Sequence, residues 1–117
     1  MPKKNEGEPY YRLTLDEAAE MHGQDGVLIV DVRGPDEYGT GHVEGAISIP
    51  VDEVLSRVSE LPTDQKLLFI CAAGVRSGLA AEMAAAMGLD TENLYNIEDG
   101  TPAWIDRQFP TNYPANG

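Results

Sequence analysis

Runs of consecutive apolar residues alternate along this chain with segments of helical periodicity. Val27–Val30 (VLIV) and Leu67–Ile70 (LLFI) each contain four apolar residues without a polar interruption, which is typical of a strand that is covered on both faces. The segments ISI (47–49) and LYNI (94–97) predict two more short strands. Strands that alternate with helices predict a parallel sheet between two helical layers.

Two predicted helices lie in the first half of the chain. Thr14 and Glu17 form a capping-box pattern, which predicts a short helix that ends near Gly23. Apolar residues at i, i+3, i+4 and i+7 predict a second helix over 51–61, because that spacing places them on one face. Pro62 ends this helix, since proline cannot continue the hydrogen-bond pattern.

Two more helices are predicted in the second half. One stops at Gly88, and its expected buried face consists of Leu79, Ala80, Met83, Ala84 and Met87. The other has Pro102 in its first turn, where proline fits a helix. We expect Trp104, in that last helix, to pack in the core over the edge of the sheet.

Length and composition predict one domain with short tails. The chain has 117 residues, of which 42% are hydrophobic, and neither a repeat nor a low-complexity linker divides it. Both ends are polar or turn-forming and lack periodicity. We therefore predict a flexible tail over 1–9, a single domain over 10–109 and a second flexible tail over 110–117.

The charge of the chain disfavours two classes of partner. Acidic residues number 20 and basic ones 8, giving a net charge of -12, so nucleic acids and anionic membrane surfaces would be repelled. No apolar run approaches the ~18 residues of a membrane-spanning helix, and one cysteine cannot form an internal disulfide. Without a secretory signal pattern, we expect a cytoplasmic protein, either a monomer or a weak dimer.

Candidate chemistry centres on the only cysteine. Cys71 follows the LLFI strand, and residues 72–76 connect it to a helix that we expect to begin near Arg76 or Ser77. In a parallel sheet, ligands bind beyond the carboxyl ends of the strands. Cys71 is therefore expected at the functional edge of the sheet, although a cysteine after a strand is often only a small buried apolar residue.

The residues after Cys71 are suited to hold an anion. The predicted binding loop consists of Ala72, Ala73, Gly74, Val75, Arg76 and Ser77. Its first residues are small enough for a tight turn, and Gly74 can adopt a positive φ. Loop amides and a helix N-terminus would place partial positive charge around the sulfur, with Arg76 as a cation at the rim, and lower the pKa of the thiol. Cys71 is thus predicted to act as a nucleophile in covalent catalysis.

Three motifs resemble those of the rhodanese-like sulfurtransferases. DVRGPDEYGTGHVEGAISIP (31–50) resembles the first signature of that family, CAAGVRS (71–77) its active-site loop, and EDGTPAW (98–104) its closing motif. The motifs occur in the family's order and cover almost the whole chain. The resemblance implies a three-layer α/β/α fold with a central, mainly parallel sheet of five strands.

The resemblance also implies a double-displacement reaction. The Cys71 thiolate would take a sulfane sulfur from a donor such as thiosulfate, release sulfite and hold the sulfur as a persulfide. Cyanide, a small thiol or a cysteine of an acceptor protein would then remove it. The reaction implies neither a metal nor an organic cofactor.

Loop length separates this reaction from a related one. Four residues lie between Cys71 and Arg76, as in the sulfurtransferase loop, whereas related phosphatases and arsenate reductases have five. A tighter ring suits a sulfur atom better than a tetrahedral oxyanion, so these activities are a remote alternative. Another alternative is a binding or sensing module, in which the scaffold and its thiol dock a protein partner with little turnover.

Two features depart from the family's usual pattern. Ala72 and Ala73 stand where thiosulfate-preferring members often carry basic residues, so the sequence leaves the donor open. Asp99 stands where the family often has the first glycine of a GG pair. This second departure can alter the final turn but removes no catalytic group.

Asp31, Arg33 and His42 are predicted to support the loop. Asp31 ends a neighbouring strand, so it can hydrogen-bond the loop or pair with Arg33 or Arg76. His42 lies in GTGHVEGA and is expected to order that segment rather than act as a protease-like base. We expect Arg76 to contact an anionic donor or to lock the loop, and Ser77 to cap the following helix.

Overall fold

A computed structural model describes residues 2–113 and contains a five-stranded parallel sheet between two layers of helices. The strands are β1 (Tyr11–Leu13), β2 (Val27–Asp31), β3 (His42–Val43), β4 (Ile47–Ser48), β5 (Lys66–Ile70), β6 (Leu94–Ile97) and β7 (Thr111–Asn112). The α-helices are α1 (Leu15–Met21), α2 (Pro35–Tyr38), α3 (Val54–Arg57), α4 (Val75–Ala86) and α5 (Gly100–Asp106). Short 3-10 helices are found at Val51–Glu53, Val58–Glu60 and Thr91–Asn93.

The main sheet has the strand order β1-β6-β5-β2-β4, and all its pairings are parallel. The predicted three-layer α/β/α fold is therefore confirmed. Strand β5 lies at the centre, paired with β6 on one side and β2 on the other. The carboxyl ends of the five strands of this sheet thus lie at one edge, and the residue after β5 lies in the middle of that edge.

Successive residues of β5 face opposite helical layers. Leu67 and Phe69 pack in the cluster that includes Ala80, Ala81 and Ala84 of α4. Leu68 and Ile70 pack in the other cluster, which includes Trp104. Trp104 is fully buried, as predicted. Cys71 continues the alternation and belongs to the cluster on the α4 side.

The buried face of α4 differs from the predicted one. Its buried residues are Ser77, Gly78, Ala80, Ala81 and Ala84. Leu79 and Met87, both expected in the core, are 46% and 51% exposed. The face toward the sheet is made of small residues, and a Cβ on Gly78 would lie 3.2 Å from the side-chain nitrogen of Asn96. Because the helix lies close to the sheet, its buried face consists of small residues and not of the larger apolar ones.

Of the first two predicted helices, one is present and the other is divided. The capping box is present, because the Glu17 amide donates to Thr14 Oγ1 (3.1 Å) and the Thr14 amide donates to Glu17 Oε1 (2.9 Å). The segment 51–61 is not one helix but the single turn α3 between two 3-10 helices. Its β-branched valines lower helix propensity, although Val54 and Leu61 are buried as the pattern predicts.

Two backbone pairings lie in the segments predicted as tails. Lys3 and Arg12 form an isolated antiparallel bridge, and β7 pairs antiparallel with β3. The indole nitrogen of Trp104 also donates to the carbonyl of Pro110 (2.8 Å). Thr111 and Asn112 are therefore paired rather than loose. The other ends of the predicted tails, residue 1 and residues 114–117, lie outside the described residues.

Candidate active site

The loop after β5 closes around the sulfur of Cys71. The backbone nitrogen of Gly74 lies 3.1 Å from Sγ and donates to it. The Ser77 Oγ lies 3.3 Å from Sγ. Cys71 is 1% exposed, so the sulfur lies beneath the loop, while Ala73 and Val75 are exposed on its outside.

Two glycines hold the loop against the connection between β6 and α5. Gly74 has φ +90, and a Cβ there would lie 2.5 Å from the carbonyl oxygen of Glu98. Gly100 has φ +84, and a Cβ there would lie 2.0 Å from the carbonyl oxygen of Ala72. The amide of Thr101 donates to the carbonyl of Cys71 (2.7 Å). Only glycine combines this backbone conformation with so close an approach.

Asp99 does not interfere with the contact between the loop and the turn before α5. Its backbone is right-handed helical, with φ -81 and ψ -23, a conformation that any residue adopts. The left-handed conformation falls on Gly100 instead. The aspartate in place of a first glycine therefore imposes no strain on the turn that contacts the loop.

The pKa of the Cys71 thiol lies below its ordinary value. Burial acts in the opposite direction, because a buried thiolate loses hydration. Once the thiol has lost its proton, hydrogen bonds from the Ser77 hydroxyl and from the backbone amides of Ser77, Ala73 and Gly74 outweigh the effect of burial. The thiolate is thus stabilised chiefly by dipoles of the loop itself.

Ser77 does not cap α4, contrary to the prediction. The helix begins at Val75 with Gly74 as its N-cap, one or two residues earlier than expected, so Ser77 lies inside the first turn. Its hydroxyl faces the sulfur and donates to Oδ1 of Asn96. The sequence pattern placed the helix start too late because Gly74 reads as a turn residue, whereas it serves here as the cap.

Asn96 is a site residue that the sequence analysis missed. It is 3% exposed in β6, between Tyr95 and Ile97, and its neighbours in the strand are all buried apolar or aromatic side chains. Its side-chain nitrogen donates to the carbonyl of Gly74 (3.1 Å). The only signal was the single polar residue in LYNI, a segment predicted as a short strand.

Arg76 lies at the rim of the site in an ion pair with Glu37. Two parallel hydrogen bonds of 2.6 and 2.8 Å join the guanidinium to the carboxylate. The Arg76 hydrogen bonds, together with the amide of Gly34, lower the pKa of Glu37 to about 2. The Arg76 side chain is about one-third exposed. Its charge is therefore partly neutralised by α2, a partner that the sequence analysis did not identify.

Asp31 pairs with Arg33, one of the two partners predicted for it. The Arg33 side chain donates to both oxygens of Asp31 at 2.7 to 3.1 Å, and the Arg33 amide also donates to Oδ1 (3.0 Å). The guanidinium further donates to the carbonyl of Gly41 (2.8 Å). Both residues are buried. This pair fixes the connection after β2 and does not contact the sulfur through any hydrogen bond described here.

His42 lies in the same connection and is buried against Tyr38. The two rings stack with their centroids 3.7 Å apart, and His42 Nδ1 lies 3.1 Å from the Tyr38 carbonyl. The Tyr38 hydroxyl donates to the carbonyl of Ala46 (2.8 Å). These contacts join His42 to the segment between α2 and β4, which is the segment that His42 is predicted to order.

A cleft of about 380 Å³ lies beside the loop, on the side of Gly74 and Val75. Its other walls include Tyr10, Arg12, Leu79, Glu82, Asn96 and Glu98. Within residues 2–113, no group of histidine, cysteine and acidic side chains has the arrangement of a metal site. No helix in that range is long and apolar enough to cross a membrane.

Known proteins resemble this chain in both sequence and structure. The family model described as "Rhodanese-like domain" matches residues 14–107. The uncharacterized protein YqhL of Bacillus subtilis is 36% identical over 91 residues, 78% of this chain and 71% of that protein. Thiosulfate sulfurtransferase GlpE of Shewanella oneidensis is 25% identical over 95 residues, 81% of this chain and 92% of that one.

A solved structure agrees with these relatives. The crystal structure of a rhodanese-related protein from Thermoplasma volcanium aligns with a TM-score of 0.77 and 29% identity, covering 87% of this chain and 97% of that one. The family match spans most of the chain and includes Cys71 and the loop that follows it. The chain therefore belongs to the family of rhodanese-like domains.

Proposed function

We propose that this protein is a sulfurtransferase that carries a sulfane sulfur on Cys71. The observation that carries the proposal is the closure of the loop on Sγ, with the Gly74 amide at 3.1 Å and the Ser77 hydroxyl at 3.3 Å. Such donors stabilise a negative charge on sulfur, and the thiolate is the nucleophilic form of cysteine. The similarity to a relative named thiosulfate sulfurtransferase supports the same class of reaction.

In the first step, the Cys71 thiolate attacks the outer sulfur of thiosulfate. A bond forms between Sγ and that sulfur, and the sulfur–sulfur bond of thiosulfate breaks. The bonding electron pair leaves with sulfite, and the enzyme keeps a persulfide whose negative charge lies on the outer sulfur. We expect the loop amides that bound the thiolate to donate to the transferred atom.

In the second step, a nucleophilic acceptor removes the outer sulfur. Cyanide carbon or a thiolate sulfur bonds to that atom, the bond to Sγ breaks, and its electron pair returns to Cys71 as the thiolate. The products are thiocyanate or an acceptor persulfide. The two steps balance without an external oxidant or reductant, and a reducing cytoplasm, where we place the reaction, would keep Cys71 available.

The surroundings of the loop bear on the choice of donor. Ala72 and Ala73 add no charge, and Arg76 is bound to Glu37. Thiosulfate must therefore compete with Glu37 for the guanidinium. We propose that donors with less negative charge, such as the persulfide of a small thiol, are used at least as well as thiosulfate.

The decisive experiment is to incubate the protein with thiosulfate and measure its intact mass. Because Cys71 is the only cysteine, a gain of one sulfur atom locates the persulfide without peptide mapping. Cyanide should return the original mass and release thiocyanate. The control is Cys71→Ser, and a protein that gains no sulfur from any donor, or a serine variant with full thiocyanate production, would rule the proposal out.

A second candidate function is docking of a protein partner. Val75 and Leu79 are 79% and 46% exposed next to the loop, and apolar side chains in such positions often contact partners. A docking module would show negligible turnover with thiosulfate, mercaptopyruvate and glutathione persulfide. It would still retain its partner in a pull-down with the Cys71→Ser variant.

A further inference from the structure

Four hydrogen bonds join Cys71, Ser77, Asn96 and Gly74 into a closed ring. The Sγ of Cys71 lies 3.3 Å from Ser77 Oγ, which lies 2.5 Å from Asn96 Oδ1. The side-chain nitrogen of Asn96 lies 3.1 Å from the carbonyl of Gly74, and the amide of Gly74 lies 3.1 Å from Sγ. The three side chains are at most 3% exposed, so water competes little for these bonds.

The direction of each bond in this ring follows from the chemistry of its members. The carbonyl of Gly74 only accepts, so Asn96 must turn its NH2 group toward it. The oxygen of Asn96 then faces Ser77 and also only accepts, so Ser77 donates its single proton to Asn96. Ser77 therefore offers the sulfur a lone pair. In the resting thiol, the proton of Cys71 is directed at Ser77.

Loss of the thiol proton disrupts the ring. A thiolate needs donors, so Ser77 must turn its proton from Asn96 to Sγ. The buried oxygen of Asn96 then loses its donor, which costs free energy because a buried polar atom is left without a partner. Ser77 can thus donate to the thiolate only if the oxygen of Asn96 loses its hydrogen bond.

A persulfide does not create this conflict. Its negative charge lies on the outer sulfur, and Sγ carries neither a proton nor a charge. Ser77 can then donate to Asn96 again, while the loop amides bind the outer sulfur. The hydrogen bond from Ser77 to Asn96 is therefore intact in the thiol and in the persulfide, and it is lost only in the bare thiolate.

We propose that Asn96 is a positioning residue that acts on Cys71 through Ser77. Because Asn96 accepts the Ser77 proton, the Cys71 thiolate is less stable relative to both the thiol and the persulfide. The reaction of the thiolate with a sulfur donor is therefore more favourable. The part that concerns the persulfide rests on the proposed sulfurtransferase function. The part that concerns the thiol does not, and it can be tested separately.

Three ion pairs hold charged groups around the ring, and Glu82 and Tyr10 line the cleft beside Asn96. Arg76 on α4 binds Glu37 of α2, and Asp31 binds Arg33 beyond β2. Glu98, whose backbone contacts Gly74, pairs with Arg12. The same charges surround Cys71 whether or not Asn96 is present. An uncharged substitution at Asn96 that alters the titration of Cys71 is therefore attributable to the ring.

The test compares Asn96→Leu with Asn96→Asp by the pH dependence of thiolate absorbance. Leucine frees the Ser77 proton for the sulfur, so the Cys71 midpoint should move to lower pH, with the thiolate fraction in the acidic range about 3-fold to 10-fold higher. Aspartate keeps an acceptor for Ser77 and adds a negative charge, so the midpoint should move to higher pH. A merely structural role would raise the midpoint in both variants.

The effect of leucine must also depend on Ser77. In a Ser77→Ala background, Asn96→Leu should leave the Cys71 midpoint nearly unchanged, because the proton that it releases is absent. An equal shift in both backgrounds, or no shift in either, would overturn the proposal. Tryptophan fluorescence of the buried Trp104 checks that each variant is folded.

A measurement on the unaltered protein avoids the question of folding. The carboxamide carbon of Asn96, observed by NMR during a pH titration, should shift with the same midpoint as the Cys71 thiol, because it loses the Ser77 donor at that point. A carboxamide signal that stays constant through the thiol transition would overturn the proposal. Neither readout requires turnover, so failure of sulfur transfer and failure of the ring are distinguishable.

Discussion

Two polar clusters at the carboxyl edge of the sheet hold charge in opposite ways. At the end of β2, Asp31 and Arg33 form a buried ion pair. Beyond β5, Cys71 is surrounded by uncharged donors and acceptors from Gly74 and Ser77. A buried ion pair suits a structural role, because removal of either partner leaves an uncompensated buried charge. Dipoles suit the sulfur, which must gain and lose a charge in every cycle.

The first way to break this comparison is to remove one charge from the buried ion pair. Asp31→Ala leaves Arg33 buried without its carboxylate, and we expect a loss of about 3 to 5 kcal/mol in the free energy of unfolding. Urea denaturation measures it. The control is Glu53→Gln in the exposed Arg57 pair, where we expect no change beyond experimental error. A similarly small loss for Asp31→Ala would mean that the buried pair does not stabilise the connection after β2.

The second prediction concerns the close contact between Gly100 and the loop after β5. Gly100→Ala places a Cβ 2.0 Å from the Ala72 carbonyl oxygen at a positive φ, so we expect a loss of about 2 to 4 kcal/mol and impaired sulfur uptake. Gly88→Ala is the matched control, because Gly88 also has a positive φ but no atom within 4 Å of the added Cβ. Equal losses in the two variants would show that backbone strain, not the close contact, determines the effect.

The third prediction sharpens the contrast between dipole and charge at the sulfur. Ser77→Ala removes a donor to the thiolate, and because Asn96 competes for that donor we expect the midpoint of the Cys71 titration to rise by no more than about one pH unit. Arg76→Gln should shift it less, because Arg76 is bound to Glu37 and partly exposed to water. Ultraviolet absorbance of the thiolate gives both midpoints. A larger shift for Arg76→Gln would mean that the Arg76 cation, and not the Ser77 hydroxyl, is the main stabiliser of the thiolate.

The smallest effect is expected at the Arg76–Glu37 pair. The pKa of Glu37 in the folded protein, about 2, lies below its ordinary value of 4.5, so the stability it contributes is present above pH 4.5 and is lost as the pH falls toward 2. The stability difference between the natural protein and Glu37→Gln should be small and constant at neutral pH and should shrink only in that acidic window. A difference that grows on acidification would contradict the assigned pair.

The sequence predicted the architecture because the strands at the centre of the sheet are continuous apolar runs. The runs that became β2 and β5 had no competing interpretation, and the capping box at Thr14 specified its helix locally. Strand β1 was not identified, since its three residues show too little alternation. The face of α4 was misjudged for a different reason: distance to the sheet favoured glycine and alanine over larger apolar residues.

The site was predictable only in part. Cys71 and its loop stand out because their residue types and spacing are unusual after a buried strand. Asn96 and Glu37 do not, because their roles depend on elements that only the folded chain brings next to the loop: β6 for Asn96 and α2 for Glu37. Ser77 was predicted to lie in the loop and to cap the helix, but α4 begins at Val75 with Gly74 as its cap, which places Ser77 in the first turn, where it faces the sulfur.

The bridge between Lys3 and Arg12 has a consequence for how separate molecules of this protein meet. Strand β1 lies at one edge of the sheet, and an open edge offers unpaired amides and carbonyls to a strand of another molecule. Lys3 occupies that position at Arg12, with hydrogen bonds in both directions. A protein shortened to begin at Tyr10 would lose this cover. Its tendency to aggregate would then rise, even with every residue of the sulfur site in place.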